Sequence, residues 1–230
     1  MRRPLVVIVL PLVGMFVLGG CAVGKLLGGM AQNAEYQKEI EVHPVYSGLE
    51  NKTVAVIVDV DLVTLYQYPD VAVTLAANIA RRVQANVPGI TVLAPSRVSQ
   101  WQFRTPQWNA MQYSEIAERL NVDRVVHVDI YEYRLHPPGN QWIWDGVCAA
   151  NIGIIERDGY DPDNYVDRFN ISVAFPDMTG VTRENATAGG VQTALWTLFT
   201  RETAWLFFTH LEPKHPKYYN GRIKEGRYDG

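Results

Sequence analysis

The sequence predicts an α/β (α+β) fold: a mixed β-sheet of about five strands with helices packed on it, in βαβαβββα order, behind an N-terminal lipoprotein signal peptide. Three observations predict it. β-branched runs, "KTVAVIVDV" first among them, have the length and type of buried strands. Apolar residues at helical spacing separate the early runs, which implies crossovers and parallel pairing. The later runs are joined by polar turns alone, which implies hairpins and antiparallel pairing.

The chain opens with Arg2 and Arg3, then an apolar stretch from Leu5 to Gly20. As a helix this stretch would cover about 24 Å, short of the ~30 Å hydrocarbon core of a bilayer. Pro11, Gly14, Gly19 and Gly20 weaken it further as a permanent span, and it reads as a secretory signal peptide over residues 1–20. It ends in Leu18-Gly19-Gly20-Cys21, which resembles a bacterial lipobox. That pattern implies cleavage before Cys21 and lipid attachment to its sulfur; Ala22 after it favours the outer membrane, facing the periplasm. Cys148 is then left without a disulfide partner, and its apolar setting, "GVCAANIGII", suggests a buried, inert thiol.

Residues 21–50 show little apolar periodicity and are expected to form a lipidated tether, with a short helical or extended piece near Glu35 to Val42. An α/β domain is expected over 51–210. It starts with the strand Lys52–Val60; Asp70 is the expected cap of a helix whose Val71, Leu75, Ile79 and Val83 form one face. "ITVLAP" is a second strand, after which Ser96 is placed to cap a short helix carrying Val98 and Trp101. "SEIAERLN" follows as a two-turn helix with Ser114 as cap and Asn121 closing it in the left-handed region. "DRVVHVDIYEYRL" is the longest strand candidate, "WIWDGVCAANIGIIE" its return after Pro137-Pro138-Gly139-Asn140, and "RFNISVAFP" a third. A helix over about Val191 to Thr209 closes the domain, with Ala194, Leu195, Leu198, Trp205 and Phe208 on its apolar side. One layer of helices on the sheet accounts for most of these residues. The remainder, 211–230, reads as a loosely ordered basic tail.

The strand "VAVIVD", the helix after it, "ITVLAPSRVSQ" and above all "YSEIAERLNVDRVVHVDIYEY" resemble a domain shared by envelope proteins. These are the curli-secretion lipoprotein CsgG, the penicillin-binding-protein activator LpoB and the N-terminal domain of TolB. The resemblance covers roughly Lys52 to Thr209 and implies an α/β envelope module that binds other proteins or assembles with itself. The candidate hairpin loops, 135–141 and 157–167, are too short and polar to build a transmembrane pore, which needs ~9–11 alternating residues per strand.

Composition excludes some partners. The full chain has 21 Lys and Arg against 24 Asp and Glu, without the basic patch a nucleic-acid binder needs. No phosphate loop, nucleophile elbow or HExxH occurs, so no catalytic residue, cofactor or metal is assigned and the chain is not read as an enzyme. The alternative is a periplasmic enzyme or a ligand- or metal-binding protein using His127 and Asp129, placed two apart on one strand face together with Tyr131 and Tyr133. The loop carrying Asp158, Asp161, Asp163 and Asp167 offers oxygen ligands of the sort calcium takes, without the EF-hand order. Trp101, Phe103, Trp108, Trp142 and Trp144 are candidates for a contact surface. The expectation is an envelope protein held to the membrane through Cys21, whose domain engages another envelope protein or itself.

Overall fold

The computed structural model describes residues 35–219, in two compact units: residues 43–209, and a smaller unit to which 35–42 and 210–219 belong. The expected signal peptide, Cys21, the first part of the expected tether and the end of the expected tail lie outside the described residues. In chain order the elements are β1 (Glu39–Val42), β2 (Thr53–Val60), α1 (Leu62–Gln67), α2 (Val71–Asn86), β3 (Thr91–Val92), α3 (Pro95–Arg104), a 3-10 turn (Trp108–Ala110), α4 (Tyr113–Leu120), β4 (Arg124–Arg134), β5 (Gly146–Glu156), β6 (Asp167–Phe175), α5 (Ala188–Trp205) and β7 (His210–Pro213).

The larger unit is built on a five-stranded mixed sheet in the order β3-β2-β4-β5-β6. β2 pairs in parallel with β3 and β4, and β4–β5 and β5–β6 are antiparallel, as the crossovers and hairpins require. Alternation along β2 shows why its sequence is apolar throughout. Val54, Val56, Val58 and Val60 pack on α2 and α5, whereas Ala55 and Ile57 face α3 and α4. The sheet is therefore covered on both faces, not by the one helix layer expected. The physical reason is that a central parallel strand has no solvated side, and both of its faces need apolar cover.

On the first face α2 buries Val71, Leu75, Ile79 and Val83, the predicted stripe; full burial of each such side chain stabilises by about 2 kcal/mol. α5 is capped by the Thr187 hydroxyl, which accepts from the Gly190 N–H at 3.2 Å, and buries Val191, Leu195, Phe199 and Ala204. Its buried stripe shares Leu195 with the expected one, but the helix starts and stops earlier, at Ala188 and Trp205.

Three expected caps do not act. Asp70 makes no side-chain cap bond; Asp61 does, accepting from the Val63 and Thr64 N–H groups at 2.8 and 2.9 Å and opening α1, an unanticipated helix. α3 starts with Pro95 at its first position and Ala94 before it, so Ser96 lies inside the helix. α4 starts at Tyr113 with Gln112 in the cap position, two residues early, and the Ser114 hydroxyl and N–H donate to Asp163 at 2.6 and 3.1 Å. Asn121 does close α4 in the left-handed region, at φ 52°. Cys148 is a free thiol buried in the first core, where loss of hydration pushes its pKa up.

Tyr46 and Leu49, ahead of β2, are buried in that same core. In the smaller unit, stretches expected as tether and tail pair with each other: β1 and β7 form an antiparallel ribbon, Glu39 opposite Pro213 and Val42 opposite His210. Tyr36 stacks on Tyr218 with ring centroids 4.5 Å apart. Glu35 accepts from Lys38 and Lys214, which hold its pKa at about 2. Among the described residues, no helix is long and apolar enough to cross a membrane.

Candidate functional site

The second helix layer is shorter than the sheet it covers. α3 and α4 bring Val98, Ile116, Ala117 and Leu120 over Ala55, Val125 and Ile155, which stand on three neighbouring strands. Two residues further along each strand the next row is Ile57, His127, Gly153 and Arg168, and the row beyond is Asp59, Asp129, Asn151 and Asn170. The change from apolar to polar across these rows marks where the layer ends. A cleft of about 600 Å³ opens there, with Trp108, Tyr113 and Tyr165 among its walls. It lies toward the carboxyl ends of the parallel strands β2 and β4, where open α/β sheets commonly hold ligands.

His127 is held by a contact that depends on its strand neighbour. Gly153 stands opposite it on β5, and a Cβ there would lie 2.4 Å from the Tyr165 ring. The missing side chain lets Tyr165 cross the strand and place its hydroxyl 2.5 Å from His127 Nδ1. Tyr165 stacks on Tyr113 at 4.4 Å, and the Arg168 guanidinium lies 4.7 Å over the Tyr165 ring. His127 Nε2 is shielded from solvent and has no hydrogen-bond partner among the described residues. Burial lowers the His127 pKa to about 4, against an opposing pull from Asp129, so the ring is neutral at neutral pH.

Two aspartates share one row of the sheet. Asp59 and Asp129 are register partners on adjacent parallel strands, about 4.8 Å apart across the ladder. Neither forms an ion pair with any described residue. Burial, and then the Asp129 charge, raise the Asp59 pKa, while the Val60 N–H and the Asn109 side chain pull the other way. Asn170 Nδ2 donates to Asn151 Oδ1 at 3.1 Å and to the Tyr131 hydroxyl at 3.0 Å, completing the polar row.

One expected neighbour is elsewhere. A bulge between Ile130 and Glu132 inserts Tyr131 into β4 and reverses the alternation beyond it. Tyr131 stays on the cleft face, but Tyr133 turns into the first core, 4.9 Å from Tyr68 between ring centroids. The five candidate contact residues also separate. Trp108 (7% exposed) and Trp144 (4%) are buried, although Trp108 still lines the cleft wall. Trp144 is a plug, donating from Nε1 to the Ala186 carbonyl at 3.0 Å and stacking on His136. Trp101 packs partly buried against Trp108, whereas Phe103 (87%) and Trp142 (75%) are exposed.

The acidic loop does not converge on one point. Asp158 pairs with Arg124 and Lys52, Asp163 with Ser114, and Asp161 accepts from Asn164 Nδ2 at 2.6 Å. Among the described residues no three His, Cys, Asp or Glu side chains come together to hold a metal ion.

His127 and Asp129 were legible as a pair; Asp59, Asn151, Asn170, Tyr165 and Gly153 were not singled out. Their signals were present: a lone polar residue breaking each of two β-branched runs, and a glycine inside a strand, which marks a close approach.

No protein-family model matches the sequence, and no curated protein matches it. Among solved structures the chain is similar to a PelC dodecamer from Paraburkholderia phytofirmans, at 13% identity over 74% of this chain and 96% of that one, with a TM-score of 0.41. It is similar to the lipoprotein GNA1162 from Neisseria meningitidis at 12% identity, covering 66% and 97% of the two chains, with a TM-score of 0.40. The hypothetical protein CT253 from Chlamydia trachomatis matches at 15% identity, over 65% and 91%, with a TM-score of 0.39. Likenesses this distant say nothing about what the cleft holds.

Proposed function

We propose that the protein is a bacterial envelope lipoprotein, anchored through lipid on Cys21, whose α/β unit works as a protein-interaction module. The lipobox pattern at residues 18–21 supports the anchor. The observation that carries the interaction role is an apolar shoulder beside the cleft. α1 exposes Leu62 (84%), Val63 and Tyr66 (90%), and its Leu65 lines a groove with Val73 and Phe103. Asp59 and Trp108 line both this groove and the cleft. An apolar surface rimmed by polar groups is what a protein partner covers.

Crosslinking in envelope fractions tests it. Tyr66→Asp with Phe103→Asp should abolish the crosslinked species while the urea midpoint stays unchanged; an undiminished species would remove the shoulder from the interface. Cys21→Ser should abolish palmitate labelling, and unchanged labelling would remove the anchor. A second reading, a ligand-binding or enzymatic site on His127 and Asp129, is favoured by the cleft they share with Asp59. The folded His127→Ala/Asp129→Ala variant separates the two: loss of all activity with crosslinking intact supports the second.

A further inference from the structure

We propose that the cleft is a receptor for one organic cation, the guanidinium group of an Arg side chain on the protein partner. The inference rests on the interaction reading and names the group that the partner inserts. Asp59 and Asp129 offer two carboxylates on neighbouring strands with no ion pair to any described residue. A planar guanidinium carries five donors in a fixed fork and can bridge acceptors on neighbouring strands.

The walls fit the same group. Trp108 and Tyr113 line the cleft with aromatic rings, which attract cations over their faces, while the faces of Tyr165 are taken by Tyr113 and Arg168. Arg168, the cation lining the cleft, already holds its guanidinium over Tyr165 without reaching either carboxylate. The shielded Nε2 of His127 has no hydrogen-bond partner among the described residues. With the ring neutral it adds no charge to repel a cation. Asn151 and Asn170 extend the row with side-chain amide oxygens, further acceptors for donors along the partner chain. The apolar shoulder alongside would receive the residues flanking the inserted arginine.

The test uses the full chain in detergent, titrated calorimetrically with L-argininamide, L-lysinamide and L-glutaminamide. Saturable binding of argininamide is expected, weaker for lysinamide and absent for glutaminamide. Asp129→Asn and Asp59→Asn should each weaken argininamide by about tenfold, the loss of one charge-assisted contact. Arg168→Ala, which removes the competing cation, should tighten it about threefold by cutting like-charge repulsion. In envelope fractions, Asp59→Asn/Asp129→Asn should lose the crosslinked partner.

No argininamide binding, or equal binding by wild type and the Asp→Asn variants, overturns the proposal. If Tyr66→Asp still abolishes crosslinking in that case, the interaction reading survives and the cation site alone falls. Argininamide binding that needs both carboxylates, with crosslinking indifferent to them, overturns the partner as source in favour of a free small amine.

Discussion

The two ends of the central strands carry similar charged residues and treat them in opposite ways. Where β4 begins, Arg124 is buried, its Nε 3.4 Å from Glu156, while its Nη1 donates to Asp158 and to the Asp123 carbonyl. The Tyr46 hydroxyl donates to Glu156 at 2.6 Å, and Asp123 accepts from the Thr53 N–H, the Thr53 hydroxyl and Arg157. Every carboxylate there has a donor. Five residues further along β4, on the other face, Asp129 lies beside Asp59, and neither forms an ion pair with a described residue. Paired charges close a structure; unpaired ones leave it something to bind. The difference teaches that the charge count of a strand is less informative than the partners its neighbours supply.

The comparison is most exposed to removing one member at the paired end. Arg124→Ala should destabilise by about 3–5 kcal/mol in urea unfolding, because Glu156 and Asp158 lose their shared cation and Glu156 is largely buried. A loss below about 1 kcal/mol would make that end an ordinary surface network.

Next in size is a pH effect from the cleft. Unfolded, His127 takes a proton near pH 6.5; folded, it resists down to about 4 because of burial. The unfolded state binds more protons in that window, so the contribution is complete above pH 6.5 and is lost as pH falls toward 4. It amounts to about 3 kcal/mol, read as the difference between wild type and His127→Gln at pH 7 and pH 4.5. A parallel decline in both proteins would mean that His127 is not held neutral.

Gly153→Ala follows, at about 1–3 kcal/mol, since the new Cβ must displace the Tyr165 ring. It should also free His127, raising its pKa as followed by NMR titration. Smallest and opposite in sign, Asp59→Asn should stabilise by about 0.5–1 kcal/mol by removing a half-buried like charge next to Asp129. Destabilisation instead would show that the ionised carboxylate is used inside the fold, and the contrast between the two ends would fail.

Much of the architecture is legible in the sequence. The stripe Val71, Leu75, Ile79 and Val83, the left-handed Asn121, the long β4 and its hairpins follow from periodicity and turn chemistry, which are local and written in consecutive residues. The pairing of His127 with Asp129 is local in the same way, being two residues along one strand. Caps were less legible: Asp61 and Asp70 offer the same chemistry, and which one bonds depends on where α1 and α2 are packed.

What local pattern could not contain is what depends on register between distant strands. Asp59 meets Asp129 across 70 positions, and Tyr165 reaches His127 because Gly153 happens to stand opposite it. The bulge at Tyr131, which sends Tyr133 to the other face, is a property of two strands together. The chain's order of residues therefore set its elements, their apolar faces and the lipobox-like pattern at residues 18–21, because each needs neighbours in sequence alone. The cleft, its unpaired carboxylates and the buried fate of Trp108 and Trp144 came from assembly, because a charge or an aromatic ring is free or satisfied according to what folding brings beside it.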